Sequence, residues 1–189
     1  MPTLSKNKVK DSLRKLINRH GTEAETLDYF QETLTGFGGM GVGVGGNRSD
    51  RGAAILLATN LETSLRMAIE RKLSIQEKHR VMLFEDEAAP LRDFAAKTRL
   101  GYAIGLFGDE TKESLDFIRL IRNAFAHAPS PVRFSTAEIT NACTFLKVPV
   151  RVGEAESHAD TSVTGRERFR MVCERIAAAL RYVSPSPVR

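Results

Sequence analysis

Arg122, Asn123 and His127, in the segment IRNAFAH (121–127), are the residues of this chain whose types and spacing suit acid–base chemistry on a phosphate. Asn123 and His127 stand four apart, so on an α-helix they share a face, and Arg122 lies beside them on the flank. A histidine takes or gives a proton near neutral pH. A guanidinium braces charge developing on a phosphorane, and an amide orients the histidine or the phosphate. RNA carries its own nucleophile in the 2′-hydroxyl, so this chemistry calls for no metal and no cofactor. The same residues admit a structural reading. Arg122 then pairs with Asp116 or Glu110, and His127 caps a helix C-terminus, where a cation is favoured. The spacing alone leaves both open.

The elements that must position these residues read almost entirely as helices. Val9, Leu13, Leu16 and Ile17 form one stripe of an amphipathic helix over 5–19. Thr22-x-x-Glu25 has the form of a capping box opening a second helix with Leu27, Phe30 and Leu34. After a glycine-rich stretch, Ser49 or Asp50 caps a long helix through about Leu73, and a shorter piece follows around 75–84. Pro90 suits the first turn of a helix reaching about Leu106, Gly108 punctuates it, and Asp109 caps the next. That helix carries Leu115, Ile118, Ile121 and Phe125, broadened by Phe117, Leu120 and Ala124, and Pro129 and Pro131 stop it. Ser135-x-x-Glu138 and Thr164-x-x-Glu167 read as further capping boxes. The second opens a helix with Phe169, Val172, Cys173, Ile176 and Leu180 on one face. Only VPVRV (148–152) suggests a brief strand. The fold class expected is all-α: an antiparallel helical bundle with an N-terminal helical arm. Its expected segments are a basic arm (1–35), a flexible glycine-rich loop (36–48), the bundle (49–182) and a frayed tail (183–189).

Charge is unevenly distributed. Lys6, Lys8, Lys10, Arg14, Lys15 and Arg19 face Asp11 alone within residues 1–20, which accounts for the whole net charge of +5. Lys6, Lys8, Lys10, Arg14 and Lys15 are therefore candidates for contact with a nucleic-acid backbone. A solvated helix face that aids solubility is the equal alternative. Cys143 and Cys173 lack metal-type spacing and read as small core residues in a reducing compartment. No apolar run reaches membrane-spanning length and no signal peptide opens the chain, so the expected location is cytoplasmic, with no membrane partner. Gly41-Val-Gly43-Val-Gly45-Gly46 matches GxGxxG formally, but a helix precedes it where a nucleotide site needs a strand. It reads as a connector.

R-N-x-x-x-H at the end of a hydrophobic helix resembles the motif of the HEPN superfamily, small all-α domains often found as RNases. Three ordered stretches narrow the likeness. DRGAAILLATNLETSLRMAIERKL (50–73), LRDFAAKTRLGYAIGLFGDETKESLDFIRLIRNAFAHAP (91–129) and F…EITNACTFL (134–146) are together similar to the mannitol operon repressor family of bacteria. The match covers roughly residues 49–147. Gly101 departs from it, standing where the family usually has alanine. The basic arm, the glycine loop and the last helix lie outside it.

The resemblance implies a homodimer and a role in regulation or defence. Arg122 would stabilise the phosphate, Asn123 would orient, and His127 would act as general acid or base, with two copies facing across the dimer. Cleavage through the 2′-hydroxyl would leave a cyclic phosphate. Arg51 and Glu62, polar on an apolar helix, are read as a solvated first turn and an ordinary salt bridge rather than as supports of that site. The expected function is a mannitol-repressor-like regulator that binds RNA, with metal-independent endoribonuclease activity left open. The alternative is a non-catalytic transcriptional repressor or a protein-interaction module, with an antitoxin or regulator as partner and the motif purely structural. No distinct recognition helix of a helix-turn-helix is evident.

Overall fold

The computed structural model describes residues 5–18, 27, 50–147 and 163–184, and these form an all-α bundle. Its helices are α1 (Lys6–Ile17), α2 (Asp50–Lys72), α3 (Glu77–Arg80), α4 (Phe94–Ala103), α5 (Asp109–His127), α6 (Ala137–Cys143) and α7 (Gly165–Arg181). A π-helical turn, Val81–Glu85, extends α3. No described helix is long and apolar enough to cross a membrane.

Helix α2 is the centre of the bundle and packs against α4, α5 and α7. It buries Ala54, Ala58, Leu61, Leu65, Ala68 and Ile69 along one stripe. Its two ends fix the directions of its neighbours. Asp50 at its start pairs with Arg166 at the start of α7 (3.3 Å), and Arg71 near its end donates to the Leu180 carbonyl near the end of α7 (2.7 Å). Helices α2 and α7 therefore run parallel. Arg51 at the start of α2 instead meets Ala126 at the end of α5, so those two run antiparallel. The all-α bundle expected from sequence is thus present, with α2 and α5 antiparallel and α2 and α7 parallel.

Helix α1 is a wall of the bundle rather than an appended arm. Val9, Leu13 and Leu16 are buried, and the helix packs on α5 and α6. Lys6 bonds Glu113 at 2.7 Å, and one turn on, Lys10 lies over the Phe117 ring at 5.1 Å, so α1 runs parallel to α5. Phe117 in turn stacks on Phe145, with centroids 5.1 Å apart. Phe125, Phe134 and Phe169 form a second aromatic chain joining α5 to α7. Cys143 and Cys173 are buried thiols. Burial pushes Cys143 up to about 12 and raises Cys173 further, which makes both poor nucleophiles.

Several helix boundaries differ from the sequence reading. Pro90 lies in a turn before α4, closed by Leu91 N–H to the Leu83 carbonyl and Arg92 N–H to the Ala89 carbonyl, and the helix starts at Phe94. Gly105, at φ +70, ends α4, with Leu106 N–H reaching the Gly101 carbonyl and Gly105 N–H the Tyr102 carbonyl. That pair of bonds needs the left-handed residue, so Gly105 is the stop and Gly108 is the N-cap of α5. Thr136 rather than Ser135 precedes α6, and its hydroxyl accepts from Arg133 N–H. The Thr164 cap holds, its side chain accepting from Glu167 N–H. A β-carbon at Gly101 would meet Phe107 at 2.9 Å and Leu65 at 3.1 Å, so the missing side chain is what lets the Phe107 ring fold back over α4. Of the expected second helix only Leu27 is described, and it is helical and exposed. The glycine-rich stretch, VPVRV and the tail 185–189 lie outside the described residues.

Candidate nucleic-acid site at the end of helix α5

IRNAFAH forms the last turns of α5, and His127 is its final residue. The helix stops there because Ala128 turns extended ahead of Pro129, which disfavours helical geometry in the residue before it. Ile121, Ala124 and Phe125 are buried, Arg122 and Asn123 are half-buried, and His127 is exposed. The hydrophobic pattern that makes the helix thus also decides which motif residues reach solvent.

Arg122 is held by an acid, though not by Asp116 or Glu110. Its Nη2 donates to Glu62 Oε2 at 3.3 Å, and its Nε is buried without a partner. The other oxygen of Glu62 receives Lys97 Nζ at 2.6 Å, and Lys97 also donates to the Arg92 carbonyl at 2.8 Å. Lys97 is buried, with only 6% of its surface exposed, and Glu62 is the acid that compensates its burial. Two cations share one carboxylate, leaving this cluster with a formal charge of +1. Each of its members comes from a different long stretch of sequence: Glu62 from α2, Lys97 from α4 and Arg122 from α5. Asp116 is engaged by Lys112 instead, at 3.1 Å.

Arg51 also reaches this end of α5, which corrects its reading as a solvated first turn. Its Nη2 donates to the Ala126 carbonyl at 2.6 Å, satisfying one of the acceptors a helix leaves open at its C-terminus. Burial lowers the Arg51 pKa below its ordinary value, yet an arginine stays charged in proteins. The neighbouring Asp50 accepts from Phe134 N–H at 2.9 Å, tying the chain after α5 to the start of α2. The Asp-Arg pair therefore anchors both sides of the helix end. Glu62 is a salt bridge, as read from sequence, but its partners are a motif residue and a buried lysine.

Asn123 and His127 make no side-chain hydrogen bond among the described residues. Arg122 is turned toward Glu62, while Asn123 is half-buried and His127 exposed. Lys97 was missed in the sequence reading; the available signal was a lysine in FAAKTRL, on a helix with few other charges.

The five N-terminal cations divide. Lys6 is committed to Glu113 and Lys10 lies over Phe117, whereas Arg14 pairs with Asp11 on the exposed face of α1. Lys8 and Lys15 are exposed. A shallow groove between α2 and α7, lined by Leu56, Leu57, Arg166 and Arg170 among others, includes none of Arg122, Asn123 or His127.

Comparison of the chain with protein-family models, with curated proteins and with solved structures gives no match.

Proposed function

We propose that this chain is a regulatory protein of the mannitol-operon-repressor type, built on an HEPN-like bundle and acting on RNA through the exposed end of α5. The observation that carries the reading is the exposure of His127, on the same helical face as Asn123, at the end of α5. A histidine placed for proton transfer, an amide and nearby guanidinium groups suit a phosphodiester. Lys8, Arg14 and Lys15 extend basic surface along α1 for the backbone of a longer strand. A homodimer of the chain provides two such faces, and cleavage through the 2′-hydroxyl is the activity that Asn123 and His127 on one face suit.

One observation favours the non-catalytic reading. Arg122 is bound to Glu62, so in that case the motif locks α5 to α2 and α4, and the protein regulates by binding alone.

Affinity for a labelled single-stranded RNA, measured over a salt series, tests the proposal. Binding that weakens with a log–log slope of about −0.7 per phosphate contacted is the expected outcome. Failure to bind RNA at low salt would overturn it in both forms.

A further inference from the structure

The arc of α5 away from its buried face holds a second arginine that the motif does not include. With 3.6 residues per turn, Arg119 lies about 40° around the axis from Asn123 and about 80° from His127. Arg122 lies roughly 100° and 140° from the same two residues. Burial follows these angles: Leu115, Ile118, Ile121 and Phe125 form the core side, with Arg122 at its edge. Lys112, Asp116, Arg119, Asn123 and His127 fall on the side away from it.

Arg119 makes no hydrogen bond or ion pair among the described residues. Its Nε is buried without a partner, so the stem packs against the protein, while its terminal amino groups are outside that buried set. The nearest acid on its own face, Asp116, is occupied by Lys112. Arg122, by contrast, is held by Glu62. A guanidinium with a packed stem and uncommitted terminal donors is suited to a phosphate, which it can bind through two parallel N–H bonds.

Resting on the RNA reading above, we propose that Arg119 binds a backbone phosphate of the RNA on the face it shares with Asn123 and His127. Arg122 then serves to hold α5 in place. The site is a stripe, Arg119-x3-Asn123-x3-His127, with one residue per turn.

The test uses the full chain and a fluorescein-labelled single-stranded RNA bearing 2′-O-methyl groups throughout, so that binding is read without cleavage. Arg119→Gln is expected to weaken binding about five- to tenfold, the effect of one charged hydrogen bond near the surface. It should also reduce the magnitude of the salt slope by about 0.7, the loss of one phosphate contact. Arg119→Lys should keep the slope that Arg119→Gln loses, and this contrast, which a merely structural role would not produce, ties the loss to the charge. Arg119→Met, which retains the apolar stem, replaces the glutamine variant if that one melts early. Wild-type affinity and slope in a folded Arg119→Gln or Arg119→Met protein would overturn the assignment alone. Absence of binding by the wild type would overturn the RNA reading and this inference with it.

Discussion

Glu62→Ala is expected to destabilise the protein by about 3 kcal/mol, toward the lower end of the cost of breaking a buried ion pair. The reason is what the substitution leaves behind. Lys97 is 6% exposed and holds its charge against Glu62 at 2.6 Å; without the carboxylate, one backbone carbonyl is its remaining partner. Arg122 loses its acid at the same time. The side chains of Glu62 and Arg122 are 19% and 27% exposed, so water relieves part of the penalty. For a chain of this length the melting temperature should fall by roughly 6–12 °C. Removing the stranded charge as well, in Glu62→Leu with Lys97→Met, should recover much of the loss, because apolar residues of similar size replace buried pairs at little cost. Urea denaturation of the single and double variants measures both. A loss below about 1 kcal/mol in Glu62→Ala would show that the cluster is hydrated and weak.

Phe117→Ala is expected to cost about 3–5 kcal/mol, the range for deleting a fully buried aromatic side chain. Phe117 is 0% exposed, stacks on Phe145 and lies beneath Lys10, so one ring joins α5 to the chain after α6 and to α1. The cavity should loosen α1 more than the rest of the bundle. Limited trypsin digestion should then cut sooner after Lys8, Lys10, Arg14 or Lys15 in the variant. Unchanged digestion there, with urea stability within about 1 kcal/mol of wild type, would contradict the placement of α1 as part of the core.

The periodic apolar residues were the most legible feature of the sequence. Leu115, Ile118, Ile121 and Phe125 on α5, and Phe169, Val172, Cys173, Ile176 and Leu180 on α7, are buried as their spacing indicates. Val9, Leu13 and Leu16 likewise marked a buried stripe, yet nothing local told that α1 joins the core, since a stripe does not name the surface it meets. Glycine and proline misled in the middle of the chain. Gly105 takes the positive φ that ends α4, a role decided by backbone hydrogen bonds that Gly108 does not make. At the helix end, Asn123 and His127 were legible because i, i+4 spacing fixes a shared face whatever the tertiary context. The partner of Arg122 was not, because Glu62 is 60 residues away and Lys97 joins the pair only after three helices have packed. Arg51 was illegible for the same reason, its acceptor lying 75 residues on.

Cleavage of a labelled single-stranded RNA in EDTA, by wild type and by His127→Ala, tests the central claim most directly. The account predicts chelator-resistant cutting that leaves 2′,3′-cyclic phosphate ends and falls about 10²- to 10⁴-fold in the variant, as for loss of a general acid or base. His127 is exposed, so the variant should melt close to wild type. RNA binding without cutting by either protein would remove the catalytic role and leave the non-catalytic regulator. Cutting that persists unchanged in His127→Ala would contradict the assignment of chemistry to the end of α5.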